Sequence, residues 1–278
     1  MNFIGVDACK KGWFAVSLDY QDNWKIDIYE TIGDVGKAFQ KAAVIFIDIP
    51  IGLPDVGRRL CDLQTRKILH RRASSVFPVP CRQALAAKIY SDAVRINQRV
   101  MGVGLSIQSW NICTKINEVD RWLRHKKPAR QQIRESHPEL CFWAMAGGQP
   151  MAYTKKKPQG FAERLAILKR IYPQTEAIVE LALGRFRRKD LARDDILDSI
   201  ALAVSARYPA ESIKTIPADP PRDKTGLPME IVYALPRETV IRDESVSIWH
   251  DSCSDLNSKF NRQRLETDDG SKGKKCHY

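Results

Sequence analysis

The sequence lacks the features that mark several large classes of protein. Its seven cysteines are odd in number and none are spaced Cys-x-x-Cys, so we expect reduced thiols and neither a disulfide framework nor a structural zinc site. The longest apolar run, residues 42–47, is too short to cross a bilayer. The first residues, MNFIGVDACKK, contain no apolar segment of the kind found in signal peptides. We therefore expect a cytoplasmic protein that has no membrane partner.

Motifs for nucleotide phosphates are also missing. The sequence contains neither GxGxxG nor a Walker motif, which argues against a dinucleotide-binding fold. No internal repeat or glycine-rich phosphate loop supports an actin-like phosphotransferase. The 278 residues, 44% hydrophobic and 28% charged, suffice for one large domain or two small ones.

Positive charge is concentrated in one part of the chain. The net charge is +12, and residues 58–134 contain 17 Lys or Arg against 4 Asp or Glu. Such a basic segment is typical of proteins that bind a polyanion such as nucleic acid. The alternative is a solubilising surface that happens to be rich in arginine.

The first 50 residues predict three strands, a helix and a fourth strand. Alternating or short apolar runs between residues 3 and 30 predict three neighbouring antiparallel strands. Thr31 can cap a helix over Ile32–Ala42. The apolar, β-branched run Val44–Ile49 predicts a central strand buried on both faces.

The rest of the chain is predicted to be mainly helical. Candidate helices cover 58–70, 83–99 and 105–123, a strand lies near Ile133, two or three helices lie within 160–208, and residues 229–234 are strand-like. This order is typical of the ribonuclease H-like α/β fold, in which three antiparallel strands and further parallel strands form a mixed sheet flanked by helices. We expect one such domain over 1–235, with a basic helical insertion at about 55–130, and a disordered tail over 236–278.

Five aspartates are placed unusually with respect to these elements. Asp7 and Asp48 stand near the ends of apolar strands, where an unpaired charge is costly to bury. Asp194, Asp195 and Asp198 open a helix, and the last two share one face. A helix-capping or solvent-facing role for these three is the plain alternative. Hard cations such as Mg²⁺ prefer carboxylate oxygens, and two ions about 4 Å apart can promote phosphodiester hydrolysis.

Several separated segments resemble one family of proteins. The segments are GVDACKKGW, DIPIGLP, RRASSVFPVPCR, GLSIQ, KINEVD, ESHPELCF and DDILDSIALA. Together they are similar to the family named domain of unknown function 429, over residues 3–234. That family is predicted to contain nucleases with a ribonuclease H fold. The first and last acidic motifs also resemble those of Holliday-junction resolvases.

The resemblance implies a set of catalytic and metal-binding residues. The four acids that match are Asp7, Asp48, Asp195 and Asp198, which would bind one or two Mg²⁺ or Mn²⁺ ions. Glu139, in the narrower HPE motif, would be a further catalytic acid of second rank. His137 precedes it and could assist proton transfer or could fix a local turn.

Basic and hydroxyl side chains suggest contacts to phosphate. Arginines and serines together suit phosphate oxygens, although a structural loop would use the same residues. Lys115 could face the acids or pair with Glu118, and the lysines at 155–157 are expected in a solvated loop. The nucleic-acid-binding candidates are Arg71, Arg72, Ser74, Ser75, Arg82 and Lys115.

These observations predict a metal-dependent nuclease of the two-metal type. The alternative is a nucleic-acid-binding protein that keeps the fold but has no catalytic activity. DNA and RNA both remain open as the polymer, and so does the oligomeric state.

Overall fold

A five-stranded mixed sheet forms the centre of the molecule. The computed structural model describes residues 1–236, and the predicted tail beyond them lies outside the described residues. The strands are β1 (Phe3–Cys9), β2 (Gly12–Leu18), β3 (Trp24–Tyr29), β4 (Val44–Ile47) and β5 (Ile133–Glu135). Their order is β3-β2-β1-β4-β5. β1, β2 and β3 pair antiparallel, whereas β4 pairs parallel with both β1 and β5. The predicted mixed α/β sheet is confirmed.

Helices flank the sheet, and four of them lie between β4 and β5. Helix α1 (Ile32–Ala38) follows β3, and the segment between β4 and β5 contains α2 (Leu60–Leu69), α3 (Tyr90–Met101), α4 (Ile107–His125) and α5 (Ala129–Gln132). After β5 come α6 (Pro138–Met145), α7 (Pro158–Ile171), α8 (Thr175–Arg185) and α9 (Arg193–Ala206). A separate antiparallel pair, β6 (Ile213–Ile216) and β7 (Ile231–Ala234), completes the described part.

Each face of the sheet has its own apolar core. Because side chains alternate along a strand, Phe3 and Phe46 lie on one face, whereas Ile4 and Ile45 lie on the other. The first face packs against α6, α7, α8 and α9, and the second face packs against α1 and α4. The central strands are buried on both faces, which explains the nearly continuous apolar runs in their sequences.

Gly5 allows helix α9 to lie directly on strand β1. A Cβ atom at this position would lie 2.1 Å from the carbonyl oxygen of Ser199 and 2.3 Å from the backbone nitrogen of Ala203. Any side chain would therefore push the helix away from the strand. Because Asp7 lies two residues after Gly5, it is on the same face of β1, next to the first turns of α9.

Some element boundaries differ from the sequence-based predictions. Helix α1 ends at Ala38, before the predicted Ala42. The chain forms a turn here, in which the Ala42 amide donates to the carbonyl of Phe39. Strand β4 ends at Ile47, two residues early. The predicted helix 83–99 begins at Tyr90, since residues 84–86 form only a single 3₁₀ turn. The Cys81 amide donates to Asn97 Oδ1, which folds that turn back against α3.

Two further expectations concern cysteines and membranes. The five cysteines of the described residues are all buried and none is paired: Cys9, Cys61, Cys81, Cys113 and Cys141. Among residues 1–236, none of the helices is both long enough and apolar enough to span a membrane.

Candidate metal centre and its cavity

Asp7 and Asp48 meet at one edge of the sheet because β1 and β4 are parallel neighbours. Val6 and Ile47 are in register, and the Asp48 amide continues the ladder by donating to the Val6 carbonyl at 3.0 Å. The next residue of each strand is an aspartate, Asp7 or Asp48. Because the carboxyl ends of parallel strands lie at the same edge of the sheet, these two side chains lie side by side on the same face. One Asp7 oxygen accepts the Ala8 amide at 2.7 Å.

Asp198 joins these two aspartates from helix α9. One carboxylate oxygen from each of Asp7, Asp48 and Asp198 lies within 4.8 Å of the others. Asp7 and Asp198 are only 6% and 2% exposed, whereas Asp48 is partly exposed. Three converging carboxylates are the donor set that hard divalent cations such as Mg²⁺ prefer. These residues therefore fit the predicted metal ion.

Asp195 stands beside this group but is partly engaged elsewhere. It lies one turn before Asp198, and its Oδ2 accepts the Ala192 amide at 3.1 Å, which caps the start of α9. The structure thus brings three of the four predicted metal-binding acids together. Asp195 lies near the three converging acids, as the metal-binding prediction expects, and it also caps helix α9, as the alternative interpretation expects.

Burial and mutual repulsion disfavour ionisation of these carboxyls. Burial, together with the charges of Asp48, Asp195 and Asp198, raises the pKa of Asp7 well above its usual range. Burial also raises the pKa of Asp48 and of Asp198, although Lys155 opposes the effect at both. Burial raises the pKa of Asp195 to about 7. A bound cation would relieve this repulsion.

Lys155 is part of the acidic cluster, which corrects the expectation of a solvated loop. Its Nζ lies 2.5 Å from Asp198 Oδ2 and 3.6 Å from Asp194 Oδ2. Burial alone would lower the pKa of Lys155, but the charges of Asp198, Asp7 and Asp48 outweigh burial and raise it well above its usual range. A run of three lysines between helices gives no sequence signal that one of them turns inward.

The loop that carries Lys155 is anchored to helix α7. Both Glu163 oxygens accept backbone amides of the loop, from Ala152 at 2.7 Å and from Tyr153 at 3.1 Å. Arg164, which is 1% exposed, donates to the carbonyls of Tyr153 and Gly160. The position of Lys155 is therefore determined by an adjacent helix.

The carboxylates line a cavity of about 560 Å³. Of the predicted nucleic-acid-binding residues, Arg72, Ser74 and Ser75 line it with them, and so does His137. His137 is also the N-cap of α6, where its Nδ1 accepts the Glu139 amide at 3.2 Å. The cavity thus sets a few anionic, cationic and hydroxyl groups within a largely apolar lining, which is typical of a ligand-binding site.

Three other predicted basic residues lie outside the cavity lining. Arg71 is exposed and donates to the Pro150 carbonyl at 2.8 Å. Arg82 pairs with two buried acids, Asp120 and Asp223, at 3.0 and 2.5 Å. The Lys115 ammonium lies 4.5 Å from the centroid of the Trp13 ring and pairs with Glu118, so it does not face the acids.

Glu139 lines the cavity but is held between two arginines. Arg164 donates to both of its carboxylate oxygens, at 2.7 and 2.8 Å, and Arg72 Nε donates to Oε1 at 2.8 Å. Burial would raise the pKa of Glu139, but these arginines outweigh burial and hold the pKa below its usual range. Glu139 is outside the group of three converging acids, and its predicted catalytic role stays a prediction.

A second buried ion-pair network also lines the cavity and was missed from the sequence. Arg59 donates to both oxygens of Glu135, at 2.6 and 2.7 Å, and also pairs with Asp62. Burial raises the pKa of Glu135 to about 7. Glu135 Oε2 accepts the Ile51 amide at 2.6 Å, and this hydrogen bond fixes the position of the loop after Asp48. Glu135 ends strand β5, so the strand-end rule that selected Asp7 and Asp48 would also have found it.

The fold and the site define an α/β protein that has a carboxylate cluster at the edge of a mixed sheet. The family model described as Protein of unknown function (DUF429) matches residues 5–222, and the chain belongs to that family. The match covers all three converging aspartates. No curated protein and no solved structure matches the chain significantly.

Proposed function

We propose that this protein is a metal-dependent nuclease with a ribonuclease H-like fold. The observation that carries the proposal is the convergence of Asp7, Asp48 and Asp198, whose oxygens lie within 4.8 Å of one another in a cavity. A cation near these three buried or half-buried acids would let them ionise together, because it compensates buried charges that otherwise repel each other. Their hard oxygen donors favour Mg²⁺ or Mn²⁺.

The order of the strands supports the ribonuclease H-like part of the proposal. In that fold, a three-stranded antiparallel unit continues into parallel strands, as β3-β2-β1-β4-β5 does here. The acids stand at the carboxyl ends of β1 and β4 and on a helix packed against them. Ligands of open α/β sheets bind at this edge of the strands.

Different residues of the cavity would have different roles in such a reaction. Asp7, Asp48 and Asp198 would hold one or two ions, with Asp195 next to them. Divalent ions, when bound, supply an activated water and stabilise the charge on the leaving oxygen. Arg72 can hold a phosphate oxygen, since charge-assisted hydrogen bonds of arginine suit phosphate geometry.

Nucleic acid is the proposed partner because much of the basic segment 58–134 is exposed. Some of its arginines, such as Arg59 and Arg82, are used internally in ion pairs. The remaining exposed side chains of the segment can neutralise phosphates of a bound nucleic acid. The exposed basic residues of this segment are Arg58, Lys67, Arg71, Lys88, Arg95, Arg99, Arg121, Lys126 and Lys127.

One observation favours a non-catalytic nucleic-acid-binding protein as the second candidate. Lys155 already places a positive charge against Asp198 at 2.5 Å. A lysine within an acidic cluster can stabilise it permanently, in which case no ion is needed and no hydrolysis follows. Both candidates share the fold and the nucleic acid, but they differ in their response to metal.

A cleavage screen with Mn²⁺ tests the proposal. Labelled single-stranded, double-stranded, hybrid and branched DNA and RNA are incubated with the full chain, with and without Mn²⁺. We expect Mn²⁺-dependent cleavage that the Asp7→Asn variant loses. Asp92→Asn is the matched control, because Asp92 forms an exposed ion pair with Arg95 on the surface of α3. Binding of nucleic acid without cleavage under any condition would favour the second candidate.

A further inference from the structure

One continuous segment, residues 72–79, supplies both a cation and an apolar wall to the cavity. Arg72, Ser74 and Ser75 contribute polar groups, and the next four residues, Val76–Val79, are apolar. All of them except Ala73 line the same cavity as the acidic cluster. A nucleotide carries an anionic phosphate and an apolar base face, so the segment matches its two halves.

The guanidinium group of Arg72 is positioned to bind an anion. Its side chain is 14% exposed, and its Nε donates to Glu139, which is held in turn by Arg164. Within residues 1–236, the two Nη groups of Arg72 have no hydrogen-bond partner. A guanidinium that is fixed through Nε and open at both Nη groups can donate a pair of hydrogen bonds to phosphate oxygens.

Phe77 is the aromatic residue of the wall. It is 39% exposed, whereas Val76 and Val79 on either side are buried. In the described part of the chain, no other aromatic ring packs against Phe77. An exposed phenyl ring that lines a cavity can stack on the face of a base, which is a contact that tolerates any base.

We infer that the cavity takes one unpaired nucleotide of a single-stranded or unstacked substrate, with its phosphate between Arg72 and the acidic cluster and its base against Phe77. This inference rests on the proposed nuclease function. In a duplex, neighbouring bases cover both faces of each base, so a base can reach Phe77 only after it leaves the stack. The volume of about 560 Å³ is within the range of roughly 300–1,000 Å³ of small-ligand pockets, which accommodate a nucleotide but not a helix.

Equilibrium binding tests the inference. The probes are short DNA and RNA strands with phosphorothioate linkages, which resist hydrolysis, and the same strands annealed to their complements. Binding is measured by fluorescence anisotropy with Mn²⁺ at fixed moderate salt, because affinity depends on ionic strength. The full-length wild type is compared with Phe77→Ala and Phe77→Tyr. Tyr20→Ala is the matched control, since Tyr20 is also exposed but follows β2, at the opposite edge of the sheet from Asp7.

We expect the wild type to bind at least one of the two single strands about tenfold or more tightly than its duplex. Phe77→Ala should weaken this binding by roughly 5- to 100-fold, as the loss of one stacked base predicts. Phe77→Tyr and Tyr20→Ala should bind like wild type. Equal or tighter binding of duplexes, or unchanged binding by Phe77→Ala, would overturn the inference.

Cleavage of unmodified strands separates this inference from the nuclease proposal. If the wild type cleaves with Mn²⁺, Asp7→Asn does not, and Phe77→Ala binds normally, then only the inference is wrong. If the wild type cleaves nothing, the nuclease proposal fails, and the inference fails with it. Thermal melts of all variants confirm that each is folded.

Discussion

Lys155 Nζ lies 2.5 Å from Asp198 Oδ2, so the acidic cluster contains a cation that belongs to the chain itself. The residues come from the loop before α7 and from α9, 43 positions apart in the sequence. A divalent ion that binds Asp198 must either displace this ammonium or lie next to it. The lysine therefore competes with metal, and this competition leads to the first prediction.

We predict that Lys155→Met increases the affinity for Mn²⁺ by about tenfold or more. A positive charge about 4 Å from a bound ion costs on the order of a few kcal/mol even at an effective dielectric constant of about 20. Isothermal titration calorimetry on the full chain measures the change. Lys157→Met is the matched control, because Lys157 is exposed, is not among the residues that line the cavity, and should change affinity far less. Unchanged or weaker Mn²⁺ binding would show that Lys155 is a structural tie that the site requires.

Asp7→Asn should leave the metal-free protein at least as stable as wild type. Asp7 is buried among like charges that raise its pKa, so removal of its charge relieves repulsion. In wild type, Mn²⁺ at ten times its dissociation constant should stabilise the fold by about 1.4 kcal/mol. For a domain of this size, each kcal/mol of stabilisation raises Tm by roughly 2–4 °C. Differential scanning calorimetry should show this shift for wild type and little of it for the variant.

Metal-free protein should lose stability as pH rises from about 4 to about 7. Burial raises the pKa of Asp195 to about 7, whereas its unfolded pKa is about 3.9, so the folded state keeps a proton that the unfolded state has released. A carboxyl with a raised pKa contributes stability at low pH, and that contribution disappears as pH passes through the folded value. Asp7 and Asp48 act in the same direction. Glu139 and Asp223, with lowered pKa values, act oppositely but mainly below pH 5.

Asp195→Asn isolates this contribution. The amide oxygen of asparagine can still accept the Ala192 amide, so the cap of α9 is kept. We expect urea unfolding at a series of pH values to show a flatter decline for the variant than for wild type. An identical decline in both proteins would mean that Asp195 is already ionised in the folded state at neutral pH.

Glu139→Gln should destabilise the fold by about 3–5 kcal/mol, because it leaves the buried Arg164 without an anionic partner. Glu176→Gln breaks the exposed pair with Lys169 and should cost less than about 1 kcal/mol. Mn²⁺ affinity should stay within a few-fold of wild type in both variants. A loss of Mn²⁺ binding in Glu139→Gln alone, with the fold intact, would instead make Glu139 a metal ligand.

Gly5→Ala should destabilise the fold by about 1–3 kcal/mol or more, since the added Cβ meets the backbone of α9. The same change at Gly184, within α8, meets no atom within 4 Å and should stabilise by about 0.5–1 kcal/mol. Chemical denaturation compares the two variants. Because α9 carries Asp198, Gly5→Ala should also weaken Mn²⁺ binding, and normal binding would show that helix and strand can separate without moving the acids.

The sequence by itself determined the strands whose positions follow from the local pattern of apolar residues and turns. Alternation and short turns placed β1, β2 and β3, and the apolar run before Asp48 placed β4. Since parallel strands share an edge, even the meeting of Asp7 and Asp48 could be expected from the order of the elements. The ends of helices were less predictable, because contacts such as that of Asn97 with the Cys81 amide hold the residues before Tyr90 outside helix α3.

Only the tertiary structure decided which of the predicted acids converge and which basic side chain joins them. Asp198 reaches Asp7 because Gly5 lets α9 touch β1, and periodicity along α9 contains no information about that distance. Lys155 turns into the cluster because Glu163 and Arg164 fix its loop. Neighbouring lysines of one loop look alike in a sequence. Their environments differ because charge interactions depend on distances in space, which the packing of helices on the sheet sets.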